Sequence, residues 1–470
     1  MQYFFETYGC QMNKAESAAL ENCLQERGWA AAAQPEAADL VVINTCSVRL
    51  TAENRAWGRI SHFAALKKQR AFIMVVTGCM AERLKEAMRQ KQPAIDYVLG
   101  NFQKQAFGLI IDAAAQGRVL AAVEESPRFV FASRHEESGS FKAFVPIMHG
   151  CNNFCSYCIV PYVRGREISR HPLAILAELD RMAEHQVREV TLLGQNVNSY
   201  CWQDGFSQIT GDQLSGQAPD QAGGQRTAAQ ADLRQRLANG PLDFPGLLDW
   251  LAQSLAGRGI GRIRFVSSHP KDLSDATIAV LAAHPVFARH IHLCVQHGSD
   301  RVLAAMNRQY SVQSYRDLVA RVRAQLPDVS LSTDILVGFP GETEADLEAT
   351  LDLLRDLRFA YAYMYFFNPR EGTPAAAMPG QLSTAVKKER LARVIELQRD
   401  ISRQVMRASL GRIFPVLVES TSRKSDSEVL GRTEQDMMAV FPGEARLVGS
   451  FVNVRLDSLR GNTFKATLVS

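Results

Sequence analysis

A chain of 470 residues is too long for one ordinary hydrophobic core, so two or three domains are expected. Its 46% hydrophobic and 22% charged residues describe a soluble globular protein and exclude a disordered or fibrous one. The net charge of +4, from 53 basic and 49 acidic residues, does not demand a nucleic-acid partner but admits a local basic face. The longest apolar stretches, such as Phe72-Ile73-Met74-Val75-Val76, fall far short of a bilayer, so no membrane association is expected. The opening Met-Gln-Tyr-Phe-Phe-Glu has no basic segment leading into an apolar one and does not read as an export signal. Nine cysteines, odd in number and clustered, point to reduced thiols and metal binding in the cytoplasm rather than disulfides.

Residues 1–118 read as a first domain. Gln2–Thr7 is strand-like, and Asn13 is placed as the N-cap of a helix running through Leu24 toward Gly28. Asp39–Asn44, Ala71–Val76 and Ile95–Leu99 read as further strands, with helices over Ala52–Lys68 and Ala81–Gln90 between them. This alternation predicts a doubly wound parallel sheet. Cys10 follows the first strand, Cys46 the second and Cys79 the third. Such sheets bind ligands at the carboxyl ends of their strands, so these three thiols can converge on one point. One small cysteine in such a turn is ordinary packing; three at equivalent positions make a three-cysteine site.

A charged, serine-containing stretch near Glu125–Ser140 reads as a linker to a second domain, residues 137–375. Six strand-like runs follow: Ala143–Met148, Glu189–Leu193, Arg262–Val266, His290–Val295, Leu331–Val337 and Tyr361–Phe366. Helical patterns such as Pro172–His185, Ser311–Gln325 and Glu344–Leu357 separate most of them. That rhythm predicts a partial (β/α)6 barrel of the TIM type. The first strand leads into Cys151, Cys155 and Cys158, spaced CxxxCxxC with no fourth cysteine nearby. Thiolates favour iron–sulfur clusters, zinc and copper(I). A structural zinc needs a fourth ligand, and the only nearby imidazole, His149, lies two residues before Cys151. A [4Fe–4S] cluster held by three thiolates keeps one iron open for a small molecule. The later strands end in Gly194-Gln195-Asn196, Ser267-Ser268-His269-Pro270, Gln296-His297-Gly298-Ser299 and Gly338-Phe339-Pro340-Gly341-Glu342, where such barrels keep their chemistry.

Residues 200–246 turn rich in Gln, Gly, Asp and Ala and read as a polar, solvated insertion without periodicity. Residues 406–470 carry short alternating runs, Phe414–Glu419, Met437–Val440, Phe451–Leu456 and Thr463–Val469, with glycines between them. They predict a small antiparallel β-barrel. Arg423, Lys424, Arg432, Arg446, Arg455, Arg460 and Lys465 scatter over it, either as a solvated charged face or as an RNA grip.

The run from Gly150-Cys151 to Tyr162, with Arg164-Gly165-Arg166-Glu167, resembles the signature of the radical S-adenosylmethionine methylthiotransferases. Tyr8-Gly9-Cys10-Gln11-Met12-Asn13, Asn44-Thr45-Cys46-Ser47-Val48-Arg49 and Thr77-Gly78-Cys79 are similar to the family's N-terminal domain, and the tail to its TRAM domain. The resemblance implies two [4Fe–4S] clusters, one on Cys151, Cys155 and Cys158 and one on Cys10, Cys46 and Cys79. It also implies S-adenosylmethionine bound at the open iron of the first cluster, near Gly194, Gln195, Asn196, Ser267, Ser268, Gly338, Gly341 and Glu342. No catalytic side chain is implied beyond the cluster ligands. The Gln11-Met12-Asn13 context resembles the tRNA branch, which methylthiolates carbon 2 of N6-isopentenyladenosine at position 37, beside the anticodon. The implied partners are a tRNA anticodon stem-loop, an electron donor and a sulfur donor. Sister branches act on threonylcarbamoyl-adenosine in tRNA or on a ribosomal-protein aspartate. An iron–sulfur carrier or RNA-binding scaffold is the non-enzymatic alternative. Two departures stand out: the insertion after Tyr200 is long, and Leu293-Cys294-Val295-Gln296-His297 stands where the family usually has Leu-Pro-Val-Gln-Ser.

Overall fold

The computed structural model describes residues 1–48, 50–118, 120, 124, 126, 128–203, 223–422 and 425–469. Arg49, Glu125, residues 204–222 of the insertion, and Arg423 and Lys424 of the basic tail lie outside them. In the first domain Gln2–Thr7, Leu40–Thr45, Ile73–Gly78 and Tyr97–Leu99 pair in parallel, and Ala30–Ala31 adds a short edge beside Gln2. Leu40–Thr45 is buried throughout, as a central strand covered on both faces must be. Leu40 and Val42 face Leu20, Leu24, Phe107 and Ile110 of the helices Gln11–Glu26 and Phe107–Ala115. Val41 and Ile43 face Ile60, Phe63, Met80 and Met88 on the other side, so the period of two splits one strand between two cores. The sheet is doubly wound, as its sequence suggests.

Three local expectations need correction. Asn13 caps nothing: the helix begins at Gln11 behind Cys10, and Asn13 is buried inside its first turn. The expected helix Ala81–Gln90 is two, Cys79–Leu84 and Glu86–Lys91, broken where Lys85 takes a left-handed φ of 43°. Helix Phe107–Ala115 escaped the sequence reading because it is apolar on nearly every side, with six of its nine residues buried.

In the second domain Lys142–Pro146, Glu189–Leu193 and Arg262–Phe265 form one parallel set, and His290–His292, Ser330–Val337 and Tyr361–Phe366 another. Bridges Ile263–Phe287 and Ser268–Leu293 join them, giving six parallel strands in chain order. Their core includes Val145, Leu192, Ile263, Ile291 and Leu331, covered by Leu179, Leu247, Leu318 and Leu354. The helix Thr384–Arg407, which no expectation covered, packs on this core through Val394 and Ile401. The insertion is not solvated throughout. Cys201–Trp202 pairs with Leu242–Asp243, and Trp202, Leu233 and Leu242 enter the core. Apolar anchors so widely and unevenly spaced leave no periodicity to read.

The linker also docks. His135 and Glu136 are buried, and His135 Nδ1 lies 2.9 Å from Glu178, which also pairs with Arg170. Burial alone would raise the Glu178 carboxyl, but Arg170 and His135 outweigh it and hold it at about 2, below its ordinary 4.5. A depressed carboxyl stabilises the fold fully above pH about 4.5, and that contribution is lost as pH falls toward 2. Urea unfolding is therefore expected to find wild type more stable than Glu178→Gln by on the order of 3 kcal/mol at neutral pH, the gap closing across that window.

The last domain is a closed five-stranded barrel of Ile413–Ser422, Ser425–Thr433, Met438–Pro442, Phe451–Arg460 and Thr463–Val469. Its neighbours are antiparallel except for one parallel pair, Met438–Pro442 with Thr463–Val469. Ser425–Thr433 was not read as a strand because its residues are mostly polar. The barrel docks on the amino ends of the (β/α) strands. Arg262 donates to the carbonyls of Pro415 (3.1 Å) and Arg432 (3.0 Å), Arg264 to those of Thr433 (2.7 Å) and Glu434 (3.1 Å), and Glu189 pairs with both arginines. Among the described residues no helix is long and apolar enough to cross a membrane.

Candidate functional site

The three strand-end loops of the first domain interlock. A Cβ on Gly9 would fall 2.6 Å from Cys46 Cβ, and one on Gly78 (φ +95°) would fall 2.3 Å from the Thr45 carbonyl oxygen. Only glycine permits either approach. Asn13 donates to Asn44 Oδ1 (3.0 Å) and to the Thr45 carbonyl (2.8 Å), while Asn44 donates back to the Asn13 carbonyl (3.0 Å). Cys10, Cys46 and Cys79 are thus gathered at one end of the sheet, Cys46 and Cys79 buried and Cys10 exposed.

The second trio lies on a loop after the first barrel strand. Ser156 is held by the Met306 and Ala305 carbonyls, and Asn307 donates to the Asn153 and Phe154 carbonyls. Buried Arg308 donates to Cys155 Sγ at 3.4 Å and to the Cys294 carbonyl at 2.7 Å. Burial, with Cys155 adjacent, pushes the Cys158 thiol up to about 12; burial raises Cys151 to about 11. Such thiols become thiolates only against concentrated positive charge, which a cluster's irons provide.

The spacing does not suit a single ion. Tetrahedral zinc, with Zn–S near 2.3 Å, sets its sulfurs about 3.8 Å apart. Among the described residues neither trio brings its three sulfurs within 4.8 Å of one another, and His149 forms no such set with the cysteines. His149 instead stacks on Phe129, centroids 3.5 Å apart, with Nδ1 at 3.3 Å from Arg164.

The two trios share a wall. Cys79 packs with Ile159 and Val163, immediately after Cys158, and Asn101 donates to the Val163 carbonyl at 2.7 Å. Arg164 grips Glu16 of the first helix through two bonds, 2.7 and 3.2 Å. Met12 and Ala15 pack on Leu193, Phe144 and Val266 at the barrel mouth. Glu16 and Arg308 were not singled out from sequence, and Arg164 was quoted only as part of a motif. A charge that pairs across domains carries no local signal.

The expected cofactor contacts divide. Gln195 Oε1, Ser268 Oγ and His269 Nε2 are buried at the strand ends without partners, as groups awaiting a polar ligand would be. Ser267 is held at φ 70°, strained for a residue with a side chain. Gly194 abuts Met148, where a Cβ would come within 2.5 Å of Met148 Cγ. Asn196 is consumed locally, bonding Asp272 (2.7 Å) and the His269 amide (3.3 Å). Glu342 corrects its expectation. Its carboxylate is fully buried and taken by Arg390 (2.8 Å), the Phe339 amide (3.1 Å) and His297 (3.3 Å), so it braces the turn rather than meeting a ligand. Gly338 is pressed against Lys387, and Gly341 takes φ +74° in the same turn, leaving only backbone to face a cofactor there.

Comparison with known proteins agrees with this architecture. Residues 2–100 match the uncharacterized protein family UPF0004, residues 145–354 the radical SAM superfamily and residues 407–469 the TRAM domain. A tRNA-2-methylthio-N(6)-dimethylallyladenosine synthase of Treponema denticola is 45% identical over 100% of both chains. That of Treponema pallidum is 47% identical over 100% of this chain and 99% of its own, and that of Moorella thermoacetica 39% over 98% and 97%. Among solved structures, the radical S-adenosylmethionine methyltransferase TsrM of Kitasatospora setae superposes with TM-score 0.53 at 13% identity, covering 80% of this chain and 77% of its own, a likeness of fold. With full-length relatives at this identity and all three domain models matched, the chain belongs to the radical SAM family of tRNA-2-methylthio-N(6)-dimethylallyladenosine synthases.

Proposed function

We propose that this chain is a cytoplasmic tRNA-modifying sulfur transferase that replaces the hydrogen on carbon 2 of N6-isopentenyladenosine, at position 37 beside the anticodon, with a methylthio group. The observation that carries this reading is the shared wall between the two cysteine trios, which lets a hydrogen-removing site and a sulfur-delivering site serve one base. Cys151, Cys155 and Cys158 would hold one [4Fe–4S] cluster, and Cys10, Cys46 and Cys79 a second. Bound there with S-adenosylmethionine, the clusters supply the one-electron chemistry that no side-chain acid or base offers for an aromatic C–H bond.

The chain's own residues supply placement. Arg308 fixes the Cys155 loop against the barrel wall. Gln195 Oε1, Ser268 Oγ and His269 Nε2 offer unpaired polar contacts to the amino-acid and ribose groups of S-adenosylmethionine. Burial, with Arg308 nearby, drops His269 to about 2, so it meets the cofactor uncharged. The TRAM barrel would hold the anticodon arm through its backbone phosphates, an interaction that weakens as salt rises. Bases of that loop are partly unpaired already, which eases delivery of one of them. An electron donor and a sulfur donor complete the partners.

Nucleoside analysis of tRNA from cells lacking this protein tests the reading. The 2-methylthio derivative is expected to vanish and N6-isopentenyladenosine to accumulate; an unchanged level overturns the assignment. Loss of the methylthio group from threonylcarbamoyl-adenosine or from a ribosomal aspartate instead would move it to a sister substrate. A second expectation concerns Gly78→Ala, which forces a Cβ into the Thr45 carbonyl at a left-handed φ. Iron retained after anaerobic reconstitution should fall toward that of a one-cluster protein. Gly58→Ala, with nothing within 4 Å, should leave it unchanged.

A further inference from the structure

Cys294, the departure that the family resemblance left unexplained, does not stand alone. Its Sγ lies 3.2 Å from His292 Nε2 and 3.5 Å from one Asp334 carboxylate oxygen, and His292 Nε2 lies 3.6 Å from the other. Around a tetrahedral zinc with Zn–S near 2.3 Å and Zn–N or Zn–O near 2.0–2.1 Å, the S–N, S–O and N–O edges are about 3.5, 3.5 and 3.4 Å, so each carboxylate oxygen already meets one of the two distances that a single bound oxygen would satisfy after a small rotation of the carboxylate. Among the described residues this is the one set of three His, Cys, Asp or Glu donors within 4.8 Å of one another.

We propose that His292, Cys294 and Asp334 form a zinc site in the barrel wall, separate from both cysteine trios. His292 and Cys294 are two residues apart and so share a face, while Asp334 comes from the neighbouring strand Ser330–Val337. The donors are fixed before any metal arrives. His292 Nδ1 lies 2.9 Å from Ser332 Oγ, which holds the ring with Nε2 turned toward Cys294 and Asp334. The Cys294 carbonyl is clamped by Arg308 (2.7 Å) and the Tyr310 hydroxyl (3.2 Å). A thiolate, an imidazole and a carboxylate select zinc over magnesium or calcium, which prefer all-oxygen shells. Binding converts the Cys294 thiol to a thiolate and releases its proton to solvent. Asp334 is partly exposed, 28% by side chain, so the fourth position is open to water. The site does not depend on the proposed tRNA chemistry.

The test uses full-length protein with its iron reconstituted, equilibrated with zinc sulfate and freed of loosely held metal over chelating resin. Wild type is expected to retain about one zinc per chain, with an X-ray absorption shell of one sulfur and otherwise nitrogen or oxygen. Cys294→Pro, which installs the residue usual in the family, and Asp334→Asn should each retain at least tenfold less zinc with iron unchanged. If the proline variant loses iron, the nearly isosteric Cys294→Ser decides in its place. The proposal is overturned if wild type retains no zinc, if the Cys294 variants retain as much as wild type, or if the zinc shell contains three sulfurs, which would place the ion in a cysteine trio.

Discussion

Replacing Cys10, Cys46 and Cys79 together by alanine is expected to abolish methylthio product while leaving reductive cleavage of S-adenosylmethionine within about threefold of wild type. Replacing Cys151, Cys155 and Cys158 should abolish both, because the site proposed to start the reaction is then gone. In each triple variant, iron should fall from about eight to about four per chain, one [4Fe–4S] cluster's worth. The fold should survive the first change. Its loops are tied by Asn13, Asn44 and the Gly9 and Gly78 approaches, which outlast the weaker contacts of the thiols to Asn13, the Val48 amide and Asn101. The Arg308 clamp on Cys155 lies on the barrel and is untouched. Product loss exceeding a thousandfold is expected, since among the described residues no second set of three cysteines beyond the Cys151 trio adjoins the barrel mouth to stand in for the missing one. Retention of about eight irons by the Cys10/Cys46/Cys79 variant would show that these residues hold no cluster. A parallel collapse of S-adenosylmethionine cleavage would show that the two sites cannot be assigned separate tasks.

What the sequence disclosed and what it hid have physical reasons. Strand ends are local events: an apolar run stops, a polar or glycine residue follows, and the period of two ends with it. Cys10, Cys46 and Cys79 could therefore be placed at equivalent positions although about 35 residues separate each from the next. The TRAM strand Ser425–Thr433 was lost because half a small barrel's surface faces water, and Ser425, Asp426, Ser427 and Glu428 leave little alternation to see. The same blindness applied to Asn13. Its type suits a helix cap, yet the Tyr8 carbonyl and two partners on the neighbouring strand end, Asn44 and the Thr45 carbonyl, outcompeted that local use. Glu342 was misjudged for a related reason: an acidic residue in a glycine-rich turn looks free until helix Thr384–Arg407 brings Arg390 to it. Pairing between distant elements is set by the assembled fold, and a lone sequence does not print it.

The separation of tasks within the molecule follows from the same assembly. The TRAM barrel meets the amino ends of the barrel strands through Arg262 and Arg264, while both cysteine trios sit at the carboxyl ends. Strands of three to eight residues rise about 3.3 Å per residue, so the proposed RNA grip and the cysteine trios lie on the order of 10–25 Å apart. An extended anticodon arm spans such a distance; a free nucleoside does not. The substrate should accordingly lose most of its turnover when the stem is removed, even if the modified base is intact.

Arg164→Met is expected to destabilise the chain by about 3–5 kcal/mol, far more than its single ion pair would suggest. Arg164 lies six residues after Cys158 and Glu16 six residues after Cys10, and their bidentate pair is buried, 3% and 6% exposed. Breaking it strands the Glu16 carboxylate between two domains, with only Lys104, 2.7 Å away, to answer it. The same substitution combined with Glu16→Leu should recover most of the loss, because no charge is then left without its partner. Lys104 would keep Asn101 Oδ1 at 3.0 Å and a path to solvent. Urea unfolding of the reconstituted protein measures both effects. Function should separate them: the double variant, although stable, loses the rigid link that registers one trio against the other. Its methylthiolation should fall at least tenfold while S-adenosylmethionine cleavage, which needs only the barrel, stays near wild type. A single variant within 1 kcal/mol of wild type would show that the domains are held by the other contacts, Cys79 on Ile159 and Val163 and Met12 and Ala15 on the barrel mouth, and that Arg164 sets neither stability nor register.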